Sequence, residues 1–250
     1  AGAAACDAGT VPFARLDIGE MAAFPSLEAF LSKGKAPRPA TAPMLSTPGG
    51  ATASHAISAP ESAPDSDESK HYYAHVSQNH WSKFDGGGAE LSIWNPHVDP
   101  QDDDYRMSLM QIWLSGENKA GKIETLEVGW QTQPLLWGTP LPGVFVYWTG
   151  TGYEQGLPNS GCYNLECAGF VQTSNAVVFA APFARDRYSV AGGRQPTLQV
   201  AWQRDAASGN WWLQVDGAWI GYIPGTEYDG ELSKADGNRQ LDAGGEIAAP

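Results

Sequence analysis

From His71 onward the chain is a succession of short apolar and aromatic runs, each closed by a turn signal. Residues 88–94 alternate and then break at Asn95-Pro96. Residues 107–114 put Leu109, Gln111 and Trp113 on one face, and 123–131 form a third run. Residues 144–149 are almost continuously apolar and aromatic, as expected of a strand buried on both sides. Further runs lie at 169–173, 198–204, 211–215, 219–223 and 245–247, separated by signals such as Gly192-Gly193 and Ser208-Gly209-Asn210. Twenty-nine Gly and 18 Pro supply tight turns for so many short elements. The pattern predicts an all-β protein, either two stacked antiparallel sheets or a barrel.

Upstream the texture differs. Residues 26–33 form a short helical candidate, with Ser26 as cap, Phe30 and Leu31 as apolar side, and Gly34 as stop. Residues 36–70 are rich in Pro, Ala, Ser and Thr, with Asp65, Asp67 and Glu68 adding charge and no periodicity visible. They read as an exposed linker or cleavable segment. The expected organisation is a segment over 1–35 with one short helix, a linker over 36–70 and a β domain over 71–250.

The formal net charge is −13, which repels phosphate backbones and argues against nucleic acid as a partner. Charged residues make up only 17% of the chain, and low charge density with an acidic balance suits acidic surroundings, where carboxylates lose their mutual repulsion. A soluble acidic surface would look the same. Cys162 and Cys167 bracket a short loop, and a disulfide there fits an oxidising compartment. A metal reading is weak, since no second Cys pair or His pair completes a tetrahedral set. The partner of Cys6 stays open. No run of about 18 apolar residues occurs, so no membrane-spanning helix is expected. The first residues lack the basic and apolar regions of a signal peptide. The expectation is a signal already removed and a secreted, extracellular protein.

Chemistry has few candidates. On the run 123–131, Ile123, Thr125, Glu127, Gly129 and Gln131 share one face, and Leu126, Val128 and Trp130 the other. Glu127 thus stands on the less apolar face beside a glycine that would let a backbone, such as a substrate's, approach closely. Glu246 follows Gly244-Gly245 in a similar setting. Taken singly, each is more often an ordinary solvent-facing Glu. Facing each other, the two would share a proton, one serving as base toward water and the other as acid toward a carbonyl or leaving nitrogen. His71, His75 and His80 lie in a segment that reads as extended, with metal binding a minor reading. Asp99, Asp102, Asp103 and Asp104 lack the Gly and Glu of a calcium loop. No nucleophile elbow or phosphate-cradling glycine motif is present, and no cofactor or metal is expected.

Several stretches, in order, resemble the neprosin family. They are Gln111-Ile112-Trp113-Leu114, Leu126-Glu127-Val128-Gly129-Trp130-Gln131, Phe145-Val146-Tyr147-Trp148-Thr149, Gly161-Cys162-Tyr163-Asn164-Leu165-Glu166-Cys167-Ala168-Gly169-Phe170-Val171-Gln172, Gly209-Asn210-Trp211-Trp212, Ile220-Gly221-Tyr222-Ile223-Pro224 and Gly244-Gly245-Glu246-Ile247. His71-Tyr72-Tyr73-Ala74 resembles the start of that domain. The resemblance implies an antiparallel β-sandwich of two stacked, highly curved sheets. It also implies a metal-independent glutamic endopeptidase that cuts after proline in acid and is made as a zymogen with a removable pro-segment. The catalytic glutamates land on Glu127 and Glu246, and the family's disulfide on Cys162–Cys167.

The N-terminal region looks like a shorter, microbial pro-segment. Family members usually continue beyond the Gly-Gly-Glu strand, whereas this chain stops at Pro250, which predicts a nicked molecule whose C-terminal piece stays bound. Pro37, Pro39, Pro43, Pro48, Pro60 and Pro64 crowd the linker and predict self-cleavage there. The implied partners are proline-containing peptides or proteins and the chain's own pro-segment. Proline specificity calls for an apolar, aromatic pocket. Gly129, Gln131, Trp130, Tyr147, Trp148, Tyr222 and Trp219 are the candidates, although most such aromatics belong to a core. The competing readings are a carbohydrate-binding sandwich, with exposed Trp stacking on sugars, and a glycoside hydrolase using paired Glu.

Overall fold

The computed structural model describes residues 6–7, 10–12, 18–22, 24, 26–33, 70–78, 81–99, 106–154 and 156–249. Among these described residues two short helices come first, α1 (Ile18–Ala22) and α2 (Leu27–Leu31). Eleven strands follow: β1 (Lys70–Ser77), β2 (Ser82–Lys83), β3 (Gly86–Ser92), β4 (Met107–Glu117), β5 (Ile123–Thr132), β6 (Gly143–Thr149), β7 (Val171–Gln172), β8 (Thr197–Arg204), β9 (Trp211–Val215), β10 (Ala218–Ile223) and β11 (Asn238–Ala249). A third helix, α3 (Pro134–Trp137), interrupts them after β5. The linker up to residue 69, the helix stop at Gly34, His80 and Asp102, Asp103 and Asp104 lie outside the described residues.

The strands form two antiparallel sheets. One runs β1-β11-β4-β5-β6, with β2 against β11, and the other β3-β8-β9-β10-β7. Alternation decides which side chains meet between them. Leu126, Val128 and Trp130 of β5 join Ile112 and Leu114 of β4 and Val144, Val146 and Trp148 of β6. These pack on Leu198, Val200 and Trp202 of β8, Trp211, Leu213 and Val215 of β9, and Ile220 and Ile223 of β10. Burying each such side chain stabilises the fold by about 1.5–3 kcal/mol, so this sandwich core is the main source of stability.

The first sheet is covered on its other face too. Phe145 and Tyr147 of β6 and Met107 and Leu109 of β4 cluster there with Phe30 of α2, Leu136 of α3, Tyr163 and Ala248. The both-sided burial expected for 144–149 therefore holds along all of β6. The N-terminal segment supplies the cover. Ser26 caps α2 by accepting from the Ala29 N–H at 3.1 Å, and α2 ends at Leu31, where Ser32 has extended backbone.

Strand β11 is far longer than the three residues expected around Glu246. It pairs with β1 from Asp242 to Ala249 and with β4 from Gln240 to Ala248. Gly244 and Gly245 hide it from an alternation search, yet they fit the sheet. A Cβ on Gly244 would lie 2.3 Å from the Ala74 carbonyl oxygen and 2.5 Å from His75 Cα, a crowding that only glycine tolerates.

Candidate active site

Strand β4 stands between the strands that carry the two glutamates. Glu127 of β5 lies opposite Trp113, and Glu246 of β11 lies opposite Leu109. Gln111 sits between those two positions on the same face of β4, with Gly129 opposite it on one side and Gly244 on the other. The register thus brings Glu127, Gln111 and Glu246 together on the sheet face turned away from the sandwich core.

Neither glutamate is solvent-facing. Glu127 is 1% exposed and Glu246 3%. Burial of two carboxylates requires compensation, and each oxygen has it. Glu127 Oε1 accepts from Thr125 Oγ1 at 3.0 Å and from the Tyr153 hydroxyl at 2.6 Å. Glu246 Oε1 accepts from His71 Nδ1 at 2.7 Å, and its Oε2 accepts from Gln111 Nε2 at 3.3 Å. The remaining partner comes from the N-terminal segment. Lys33, 5% exposed, bonds Glu127 Oε2, lies 3.0 Å from Glu246 Oε2 and donates to Gln111 Oε1 at 3.2 Å. One ammonium therefore bridges both carboxylates.

The electrostatics follow. Burial pushes the Glu246 carboxyl up, but the Lys33 ammonium and the His71 ring together outweigh it and bring it down to about 2. Burial likewise disfavours the Lys33 charge, but Glu127 and Glu246 overcome that and raise its pKa above the usual lysine value. His75 Nδ1 lies 3.2 Å from Asp242 farther along the same two strands. Among the described residues no group of three His, Cys, Asp or Glu is arranged to hold a metal ion.

The aromatic candidates part company. Tyr147 lies directly opposite Glu127 on β6 and stacks on Tyr153 at 5.9 Å, so it belongs to this face. Gln131 shares the face and donates to the Tyr163 hydroxyl at 3.3 Å. Trp130 and Trp148 point the other way, into the core between the sheets, where Trp130 Nε1 donates to the Ser92 carbonyl at 2.9 Å. Tyr222 lies on the second sheet, 4.8 Å from Trp212, with Trp219 nearby. The opening expected over Gly129 is filled by β4 itself, since a Cβ there would lie 2.0 Å from the Met110 carbonyl oxygen. The glycine is needed for strand packing beside Glu127.

The Cys162–Cys167 disulfide is formed. Its loop docks on β6 through the Asn164 N–H, which donates to the Val146 carbonyl at 2.8 Å, and it presses Tyr163 against Tyr147 at 4.8 Å. Lys33, Gln111, Tyr153 and the role of His71 were not singled out from sequence. Alternation along β1 would have put His71 on the inward face. Nothing local marks Lys33 or Tyr153.

Two solved structures share a weak likeness. The apo Crh5 transglycosylase aligns with a TM-score of 0.36 at 10% identity, over 76% of this chain and 65% of that one. CG-16, a homodimeric agglutinin from chicken liver, aligns with a TM-score of 0.25 at 7% identity, over 66% of this chain and 97% of that one. This chain thus spans less than two thirds of the transglycosylase. The family model named Neprosin matches residues 104–250. That match takes in more than half of the chain, and the chain belongs to the neprosin family.

Proposed function

We propose that Glu127 and Glu246 form the catalytic pair of a secreted glutamic endopeptidase that cuts peptide bonds on the C-terminal side of proline in acid. Family membership supports a peptidase-type activity. The observation that carries the finer reading is the pair itself: two buried carboxylates from β5 and β11, held to one bridging cation, with hydrogen-bond donors on their other oxygens. With the cation gone, two such groups cannot both stay ionised easily, and one takes up a proton. The ionised carboxylate then removes a proton from water as that water attacks the peptide carbonyl carbon. The protonated one polarises the carbonyl and gives its proton to the leaving nitrogen as the C–N bond breaks. The products are a free carboxyl group and an amine. This division of labour needs one proton on the pair, which is why acid favours it. The proposal assigns neither role to one glutamate over the other.

In this reading residues 1–35 are the pro-segment, cuts in the linker over 36–70 release it, and 71–250 form the catalytic unit. Tyr147 and Gln131, on the glutamate face, are proposed to border the substrate. The test is hydrolysis of a proline-containing peptide from pH 3 to 7 with EDTA present, for acid-treated wild type, Glu127→Gln and Glu246→Gln. Acid-optimal cutting after proline, lost in both variants and indifferent to EDTA, is expected. Cutting that survives both substitutions, or that EDTA stops, overturns the proposal.

A further inference from the structure

We propose that the outer face of the second sheet is a binding surface for an uncharged polysaccharide, built on Trp212, Trp219 and Tyr222. It lies on the opposite side of the sandwich from Glu127 and Glu246 and does not depend on the peptidase reading.

The register sets these rings side by side. Tyr222 of β10 lies opposite Trp212 of β9, and Trp212 lies opposite Gln203 of β8. Trp219 lies opposite Gln214, and Gln214 opposite Ala201. Trp219 and Tyr222 are separated by an odd step, which in a regular strand sends two side chains to opposite faces. A bulge changes that. The pairing shifts between Trp219 and Gly221, Ile220 is buried, and both rings emerge on the outer face. Trp219 stands edge-on to Trp212 at 6.4 Å and 86°, and Tyr222 tilts against Trp212 at 4.8 Å and 41°. The three rings touch and form a corner, with no slot between them.

The polar groups around this corner are amides. Besides Trp212, the outer positions of β8 and β9 are Thr197, Gln199, Ala201, Gln203 and Gln214, none of them charged. Gln203 is held in place. Its Nε2 donates to the Asp85 carbonyl at 2.9 Å, and its Oε1 lies over Gly86, 2.8 Å from where a Cβ would stand. On the same face of β3, Glu90 brings a charge, but it lies opposite Gln199, with β8 between it and the strand of Trp212.

These groups select the class of ligand. A charged peptide finds no counter-ion beside the rings, and a net charge of −13 opposes any anionic polymer. An extended peptide docks by pairing its backbone with a sheet edge, whereas the backbone groups of β8, β9 and β10 already bond one another. A sugar ring matches what is present. Its C–H face packs on an aromatic ring, and its hydroxyls donate to and accept from amides. The face is open among the described residues, with Trp219 48% exposed and Val171, opposite Tyr222 on β7, 39%. A polysaccharide held here leaves the glutamate face turned away from it, so the two sites do not compete.

Affinity electrophoresis of the intact chain tests this, in native gels containing hydroxyethyl cellulose, laminarin or galactomannan and in a gel containing none. Wild type is expected to be retarded by at least one of these neutral polysaccharides. Trp219→Ser and Trp212→Ser are each expected to raise Kd by about tenfold. Trp219→Tyr, which keeps a ring, should retain most of the retardation. Trp81→Ser removes an exposed tryptophan beside β2, on the other sheet, and should run as wild type. No retardation by any of the three polysaccharides overturns the proposal. Retardation that Trp219→Ser preserves overturns it too, and that variant carries the test even if Trp212→Ser fails to fold. Equal loss in Trp81→Ser would mean unspecific adhesion and also overturn it. So would a decaproline peptide that quenches the fluorescence of wild type and not of Trp219→Ser while no polysaccharide binds, which would assign the face to proline-rich protein. A chain that binds polysaccharide and cuts no peptide defeats the peptidase reading and leaves this one standing.

Discussion

The two sheets turn outer faces of similar composition toward different surroundings. On the first, Glu127, Gln131, Tyr147 and Glu246 are buried beneath the N-terminal segment and the disulfide loop. On the second, Trp212, Trp219 and Tyr222 cluster together, Trp219 is 48% exposed, and strands β8 and β9 alternate between buried and open positions. Both faces are aromatic. Among the described residues, only the first combines aromatics with buried carboxylates that have been given specific partners, and buried ionisable groups point to chemistry more sharply than exposed rings do.

The largest test of that contrast is catalytic. Glu127→Gln and Glu246→Gln are each expected to lower kcat by about 10²–10⁴-fold, the usual range for a general acid or base, with a folded spectrum unchanged. Paired Trp212→Ser and Trp219→Ser changes on the other sheet should leave peptide hydrolysis where it was. Loss of activity in the tryptophan variants would erase the distinction between the faces.

Next is His71→Phe. Burial raises Glu246, and the His71 hydrogen bond and charge are among the forces opposing it. Removing the imidazole nitrogen that bonds Glu246 raises the Glu246 pKa, so the acid limb of the kcat/KM profile should move to higher pH, costing about tenfold in rate at its acid end. An unshifted limb with lower overall activity would reduce His71 to a packing role.

Gly129→Ala places a methyl group against the Met110 carbonyl and should lower stability by about 1–3 kcal/mol, read as a shifted urea midpoint with an unchanged slope. Glu166 provides a smaller, pH-dependent effect away from the glutamate pair. Burial pushes its carboxyl up from 4.5 to about 8, only partly offset by Asn164. The folded chain therefore keeps a proton that the unfolded chain releases. Stability from this group is full below about pH 4.5 and is lost as pH rises toward about 8. Glu166→Gln should flatten the urea midpoint over that window. Smallest of all, Trp219→Ser should stay within about 0.5 kcal/mol of wild type.

Much of this was legible in the sequence, for a physical reason. Strands such as β5, β6 and β9 carry their environment in their periodicity, so Leu126, Val128 and Trp130 could be assigned to the core and Glu127 to the opposite face. The site was less legible because that opposite face is buried as well. Alternation separates the two faces of a strand but does not show what covers either of them. Lys33 looks like an ordinary basic residue at the end of a weak helix until α2 docks. Gly129 looked like room for a substrate because crowding by Met110 belongs to a neighbouring strand. Helix α3 escaped because four residues opened by Pro134 carry almost no periodic signal. Strand β11 escaped because its glycines answer to neighbours on both sides.

Strand β1 sets a limit on shortening the chain from its N-terminus. It begins at Lys70, directly after the stretch in which cuts are expected, and pairs residue by residue with β11 as far as Ser77. Its second residue is the one that bonds Glu246. A cut beyond His71 would remove the sheet's edge and a carboxylate's partner in one event. In the processing proposed above, the pairing of β1 with β11 would mark how far into the chain a cut can fall before it alters the site.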